Sequence, residues 1–187
     1  MEVIEMTEKL ALICIDLQRE YFDDGRPLKV PQGEKVLGNV KSILEQGRKN
    51  NSMIVHVRHI SKDPNDSTFN AASEYTSFID GALPIEGEPV ITKTRPGAFY
   101  LTELNDLLRQ NRITKVAVFG LMSFLCCDTT AREAHARGYE VLFIKDATDA
   151  IDLGEIPSET VNQVTCAVQS VMFSTVISTD ELLEIMK

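Results

Sequence analysis

Short apolar runs alternate with longer segments of helical periodicity along this chain, and this alternation is the strongest constraint on its fold. The first run, Leu10 to Ile15, is apolar at every position, as expected for a strand that is covered on both faces. The segment from Gly33 to Asn50 then has the apolar spacing of an amphipathic helix. The alternation predicts the α/β class with a parallel sheet.

The rest of the chain continues the same alternation. Further strands are predicted at Met53 to Val57, Val90 to Thr92, Lys115 to Phe119, Glu140 to Ile144 and Thr175 to Ile177. Helices are predicted over Thr102 to Asn111, over Cys126 to Arg137 with Gly138 as the residue that ends it, over Ser158 to Val171, and after a capping box of Ser178 and Glu181. Residues 61–80 are polar and irregular, and predict a long loop over the ligand site. We expect one domain over residues 1–187, a three-layer α/β/α sandwich around a mostly parallel sheet of about six strands.

Composition excludes several classes of function. The 187 residues carry 28 acidic and 19 basic side chains, which give a net charge of −9, and no basic stripe is interleaved with aromatic residues. We therefore expect no nucleic-acid partner. The apolar runs are too short to cross a bilayer and the amino end lacks a signal pattern, so we expect a cytoplasmic protein with no membrane partner. The four cysteines form no C-x-x-C pair and are expected to stay reduced.

Residues with useful chemistry follow four of the predicted strands. Asp16 follows the first strand, Arg58 and His59 follow the second, Lys93 follows the third, and the segment from Gly120 to Cys126 follows the fourth. In open parallel sheets the ligand site lies beyond the carboxyl ends of the strands. A carboxylate, an ammonium group and a thiol are therefore predicted to meet in one crevice.

These three groups together predict nucleophilic catalysis. A thiol attacks as its thiolate, and Cys126 lies where a helix N-terminus is expected to lower its pKa below the free value of ~8.5. Lys93 adds positive charge, and Asp16 can take the thiol proton and return it to a leaving amine. Backbone N–H groups between Gly120 and Cys126 can bind a developing oxyanion. The hypothesis is acyl transfer to Cys126 followed by hydrolysis.

Each of these residues taken singly also has a structural interpretation. Cys14 and Cys166 fit small buried side chains, and Cys127 should point roughly 100° away from Cys126, into packing. A lone Asp at a strand end is usually a turn residue, and a lone Lys is usually solvated. For His56 and His59 a structural or surface role is favoured, and His135 is expected to be exposed. The joint placement of Asp16, Lys93 and Cys126 at strand ends is what favours catalysis.

Four segments resemble a known family, the isochorismatase-like cysteine hydrolases, which include nicotinamidases, N-carbamoylsarcosine amidohydrolases, ureido and biuret amidases, and isochorismatases. The resemblance covers nearly the whole chain, from Leu10 to about Glu181. The segments are LALICIDLQREYF at 10–22, IVHVRHIS at 54–61, PVITKTRPGAFYLTEL at 89–104 and VAVFGLMSFLCCDTTAREAHARGYEVLFIKDATDA at 116–150. The last segment is the most specific, since its step from Gly to Cys, its T-x-R and its GY-x-V strand are hard to match by chance.

The resemblance implies a site and an assembly. The family's Asp corresponds to Asp16, its Lys to Lys93 and its nucleophile to Cys126. Its cis peptide falls at Leu121–Met122, and its oxyanion hole uses the backbone N–H groups of Met122 and Cys126. The family's fold is a parallel sheet with helices on both faces, and it implies a homodimer or homotetramer.

Four further residues are predicted to contact the substrate. Gln18 belongs to the D-x-Q motif and is expected to shape the pocket. Arg58 and His59 are candidates to bind a substrate carboxylate or ureido group. Phe124 stands where the family has a polar residue, and makes that wall of the pocket more apolar.

Departures from the family bear on metal binding and on the reaction. Metal-dependent nicotinamidases carry a D-x-H pair and a further His after the second strand, whereas this chain has no His between His59 and His135. We therefore expect no metal and no other cofactor. True isochorismatases generally lack the nucleophilic Cys, so Cys126 favours cleavage of a C–N bond in a small-molecule amide or ureido substrate.

Two alternatives stay open at this point. One is an isochorismatase-type vinyl-ether hydrolase that uses Asp16 and Lys93 without the thiol. The other belongs to a different class: a non-catalytic, redox-responsive binding protein whose Cys126–Cys127 pair is oxidised.

Overall fold

A computed structural model describes residues 9–187, so the first eight residues of the predicted domain lie outside the described part. Its centre is a six-stranded sheet with the order β3-β2-β1-β4-β5-β6, in which every neighbouring pair is parallel. The strands are β1 Leu10–Ile15, β2 Met53–His59, β3 Val90–Lys93, β4 Lys115–Leu121, β5 Glu140–Asp149 and β6 Thr175–Ile177. The order places the first strand in the middle of the sheet.

Helices cover both faces of this sheet. The helices of the described residues are α1 Gly33–Lys49, α2 Leu104–Gln110, α3 Asp128–Ala136, α4 Ser158–Met172 and α5 Thr179–Ile185. Helices α1 and α5 bury their apolar side chains in one core, and α2, α3 and α4 pack into the core on the opposite face. The predicted three-layer sandwich is confirmed.

Strand β1 shows why the central strand is apolar at every position. Leu12 and Cys14 point into the core beneath α1, while Ala11, Ile13 and Ile15 point into the core beneath α2 and α3. Successive side chains of a strand face opposite sides, so a strand covered on both faces has no polar position. All five side chains are buried.

The predicted element boundaries were less accurate beyond β4. Residues Ser123–Cys127 form a single π-helical turn, and α3 begins only at Asp128, so the helix predicted from Cys126 starts later than expected. Strand β5 continues past the predicted end at Ile144 to Asp149, because its second half pairs with Gly120 and Leu121 after a register shift. The predicted capping box of Ser178 and Glu181 is confirmed.

The connection between β2 and β3 contains no α-helix, and the carboxylate of Glu88 in this connection binds Arg48 of α1. Glu88 accepts two hydrogen bonds from Arg48, at 2.8 and 2.9 Å, and Nε2 of the buried His56 lies 2.8 Å from Glu88 Oε2. The backbone N–H of Ile85 donates to the same oxygen at 3.0 Å. His56 therefore has the structural role predicted for it.

Among the described helices, none is long and apolar enough to cross a membrane.

Glu88 makes the stability of the protein sensitive to acid. Burial would raise its pKa, but Arg48, Ile85 and His56 outweigh burial and lower the pKa from 4.5 to about 2. A lowered pKa stabilises the fold fully above pH 4.5, and the contribution of up to ~3 kcal/mol is lost as the pH falls through the folded pKa. We expect Glu88→Gln to destabilise the protein by ~2 kcal/mol at pH 7 and to flatten the acid dependence of urea unfolding between pH ~4.5 and ~2.

Glu74→Gln is the matched control for this change. Glu74 pairs with Arg19, but its side chain is 68% exposed, and exposed pairs contribute little. An unchanged acid dependence in Glu88→Gln would contradict the role assigned to Glu88.

Candidate active site

Asp16 lies where the order of successive strands reverses its direction across the sheet. It follows β1, whose neighbours β2 and β4 lie on opposite sides, and such a switch point opens a crevice at the carboxyl ends of the strands. The backbone of Asp16 has a φ of +49°, and its N–H donates to Val57 of β2 at 2.8 Å. The carboxylate is fully buried.

Lys93 reaches the same point from β3. It is the last residue of that strand, and its side chain has no exposed surface. Its Nζ lies 2.7 Å from Asp16 Oδ2 and 3.2 Å from Cys126 Sγ. The structure therefore brings together the carboxylate, the ammonium group and the thiol that the sequence placed at separate strand ends.

Cys126 comes from the π-helical turn after β4. This turn brings the thiol over the end of the central strands, where only 4% of the residue is exposed. The backbone around it turns sharply: Gly120 has a φ of +120°, and the Leu121–Met122 peptide is cis. Met122 and Cys126, whose N–H groups the family resemblance assigns to an oxyanion hole, lie at the start of this turn and within it.

The charge states of the cluster differ from the sequence-based expectation for the thiol. Burial, together with the Asp16 carboxylate, raises the pKa of Cys126 from 9.0 to about 12, against the opposing effect of Lys93. The predicted lowering of this pKa by a helix N-terminus was therefore wrong, because desolvation outweighs it. Burial would lower the pKa of Lys93, but Asp16 and Cys126 outweigh burial and raise it. At neutral pH the thiol of Cys126 is therefore protonated, and Lys93 carries its positive charge.

The other three thiols pack as predicted. Cys14 and Cys127 are buried in the two cores, and burial raises the pKa of both. Cys166 is partly buried, and burial raises its pKa to about 11. Cys126 alone among these four contacts Lys93.

Gln18 holds the backbone instead of facing the substrate. Its Oε1 accepts from the His59 N–H at 2.7 Å, and its Nε2 donates to the carbonyls of His59 and Thr76, at 2.9 and 2.8 Å. Both amide hydrogens are used, and the side chain is buried. The predicted substrate contact is therefore replaced by a positioning role at the end of β2.

Arg58 and His59 point in opposite directions. Arg58 is exposed and its Nε donates to Thr92 Oγ1 at 3.0 Å, on the face of the strand away from the cluster. His59 Nδ1 lies 3.3 Å from Lys93 Nζ. The structure does not bring Arg58 to the candidate site, because neighbouring residues of a strand alternate between faces. Phe124, beside Cys126 on the π-helical turn, is partly buried against the core.

Sequence reasoning missed two aromatic residues at the site. Tyr21 is buried, and burial together with the nearby Cys126 and Asp16 raises its pKa well above 10. Phe69, from the long loop, packs against Tyr21 and His59 with ring centroids 5.3 and 5.0 Å apart. The only signal in the sequence was the presence of aromatic residues in otherwise polar segments.

Ser123 adds one unsatisfied group beside the nucleophile. Its hydroxyl is buried and has no hydrogen-bond partner among the described residues.

Across residues 9–187, no group of three His, Cys, Asp or Glu side chains is arranged to hold a metal ion.

Comparisons with known proteins identify a family for this fold. The model of the Isochorismatase domain matches residues 10–181. The "Secreted isochorismatase effector Isc1" of Verticillium dahliae is 31% identical over 94% of this chain and 91% of the effector. "Nicotinamidase 3" of Arabidopsis thaliana is 30% identical over 74% of this chain and 72% of the nicotinamidase. A crystal structure of an isochorismatase from Pseudomonas putida KT2440 has 33% identity and a TM-score of 0.86, and the match covers 92% of this chain and 89% of that one.

Proposed function

This chain belongs to the isochorismatase family of hydrolases, and from that premise we propose that it cleaves a C–N bond of a small amide or ureido compound through a thioester at Cys126. The observation that carries the proposal is the contact of one buried ammonium group, Lys93 Nζ, with both Asp16 Oδ2 and Cys126 Sγ. A nucleophile, a proton acceptor and a positive charge meet there with almost no exposed surface.

In the first half of the reaction, Asp16 takes the proton of the Cys126 thiol as sulfur attacks the carbonyl carbon. The raised pKa of this thiol requires such an acceptor, since little thiolate exists at neutral pH. Lys93 stabilises the negative charge as it moves from the Asp16 carboxylate to sulfur. Protonated Asp16 then gives its proton to the leaving nitrogen, the C–N bond breaks, and ammonia or an amine departs.

In the second half, Asp16 takes a proton from water, and the oxygen of that water attacks the thioester carbon. The C–S bond breaks, sulfur regains its proton from Asp16, and a carboxylic or carbamic acid is released. Throughout both halves, the N–H groups of Met122 and Cys126 are proposed to bind the oxyanion, a role worth about 3 kcal/mol per donor.

The substrate class has two supports. Cys126 supplies a nucleophile that hydrolysis of a vinyl ether through Asp16 and Lys93 does not need, and one relative is named a nicotinamidase. Regulation by oxidation of the Cys126–Cys127 pair is less favoured, because redox-sensing thiols are exposed and have low pKa values, whereas both of these are buried with raised pKa values.

Location and assembly stay predictions. One relative is named a secreted effector, and cell fractionation tests the cytoplasmic location expected for this chain. A homodimer or homotetramer is expected, and light scattering of the purified chain measures it.

The test is release of ammonia from nicotinamide, carbamoyl-amino acids, biuret and simple amides. We expect turnover of at least one compound, unaffected by a chelator, and a covalent adduct of the acyl group on Cys126 in a rapidly quenched reaction. Asp16→Asn is expected to abolish both turnover and adduct, because the asparagine side chain cannot accept the proton of the Cys126 thiol. Turnover that a chelator stops, or an adduct on another residue, would contradict the proposal.

A further inference from the structure

The ammonium group of Lys93 has three hydrogens, and three acceptors surround it. Two belong to the proposed catalytic cluster, Asp16 Oδ2 at 2.7 Å and Cys126 Sγ at 3.2 Å. The third is His59 Nδ1, at 3.3 Å. An ammonium group only donates, so Nδ1 must present its lone pair to Lys93 and the ring proton lies on Nε2.

Several contacts hold this imidazole in place. Gln18 binds both the N–H and the carbonyl of the His59 backbone. Phe69 packs against the edge of the ring with planes 77° apart, and does so from a left-handed backbone conformation with a φ of +52°. A residue whose backbone is held by Gln18 and whose ring is packed by Phe69 is suited to aim one nitrogen at Lys93.

Lys93 is the charged group in contact with the His59 ring, at 3.3 Å, and the carboxylates of Asp16 and Asp66 lie near enough to act on its charge. Burial lowers the pKa of His59, and the positive charge of Lys93 lowers it further, while the two carboxylates raise it by less. The imidazole is therefore neutral at neutral pH and gains its proton only in acid.

We propose that His59 is a positioning residue whose neutral imidazole supplies the third polar partner of the Lys93 ammonium group and makes the cluster sensitive to acid. When His59 gains a proton, Nδ1 loses its lone pair and becomes a second cation 3.3 Å from Lys93. Repulsion then moves the ammonium group away from its place between Asp16 and Cys126. The effect on turnover rests on the proposed function, whereas the contact itself does not.

Nitrogen NMR tests the contact without a substrate. The chain has three histidines, and the signals of His59 are those that disappear in His59→Asn. We expect an unprotonated Nδ1 and a protonated Nε2 at neutral pH, and in Lys93→Met a higher pH for the titration of His59. His135→Asn, a change of an exposed histidine, is the control and should leave these signals unchanged. A proton on Nδ1 would overturn the proposal, and this readout decides alone if Lys93→Met does not fold.

Kinetics tests the consequence for turnover. His59→Asn keeps an acceptor oxygen near the position of Nδ1 but does not titrate, whereas His59→Phe keeps a ring without an acceptor. We expect His59→Phe to lower kcat roughly 100-fold with little change in KM. His59→Asn should keep most of kcat and move the acid limb of its pH profile to lower pH. A ring that serves only for packing would be replaced well by Phe, and would leave the acid limb in place.

The NMR and the kinetic experiments together distinguish failure of this inference from failure of the proposed function. A protein that turns over no amide but shows the expected tautomer and the coupling to Lys93 rejects the proposed function and keeps the His59 contact. Normal turnover in His59→Phe rejects the inference and keeps the function.

Discussion

Replacement of Cys126 by Ala is expected to lower kcat for amide hydrolysis by roughly 10⁴-fold or more, the effect of removing a covalent nucleophile. The physical reason is that Asp16 and Lys93 remain in contact at 2.7 Å but no atom is left to form the thioester. Stability should change little in comparison, since the hydrogen bond that Cys126 Sγ accepts from Lys93 Nζ at 3.2 Å is weak, and Lys93 keeps its contact with Asp16. The measurement is ammonia release under substrate saturation, with the urea midpoint as a check on folding.

Cys166→Ala is the matched control for this change. It removes the same atom from a partly buried position that contacts the core beneath α3, and is expected to leave kcat unchanged. If Cys126→Ala keeps its turnover while Asp16→Asn loses it, the thiol is not the nucleophile. Hydrolysis of a vinyl ether that survives in Cys126→Ala would instead fit the vinyl-ether hydrolase, which uses Asp16 and Lys93 alone.

Among the variants discussed, Gly120→Ala is expected to lose the most stability, with a free energy of unfolding lowered by more than about 4 kcal/mol. We expect that this variant does not accumulate as folded protein. A Cβ at this position would lie 2.0 Å from the carbonyl oxygen of Ile15 and 2.8 Å from its carbonyl carbon. Those atoms are the backbone of the central strand and cannot move aside. The backbone at Gly120 also has a φ of +120°, a value that residues with a Cβ atom rarely adopt. Urea unfolding, or the yield of folded protein, measures the effect.

Gly138→Ala separates the steric part of this effect from the conformational part. Gly138 follows α3 with a φ of +87°, but a Cβ there would meet nothing within 4 Å. We expect a cost of only about 1 to 2 kcal/mol, the strain of a left-handed residue. Equal losses in both variants would mean that backbone strain, and not the contact with β1, makes glycine necessary at Gly120.

The proposed catalytic cluster was largely predictable from sequence, and the reason is simple. Asp16, Lys93 and Cys126 each stand just after an apolar run or at its end, and parallel strands direct their carboxyl ends to one edge of the sheet. Neither the side-chain conformations nor the distances are needed for this inference. The strand order then decides that the three residues are neighbours, and here β1 lies between β2 and β4.

The roles of neighbouring residues were not predictable in the same way. Arg58 and His59 are equally plausible at the end of β2, but only one of two consecutive residues can face the cluster, and the pleat of the strand in the folded sheet selects His59. Gln18 belongs to the same motif as Asp16, yet its amide is used by backbone groups that lie 41 and 58 residues away.

Local patterns along the chain were sufficient to predict the α/β class, the central apolar strand and the three groups that meet, because periodicity and strand ends are local properties. The folded structure was needed for the charge state of Cys126, the placement of Tyr21 and Phe69, and the contact between His59 and Lys93. Burial and the distances between groups from different elements set these properties, and both arise only when the chain has packed.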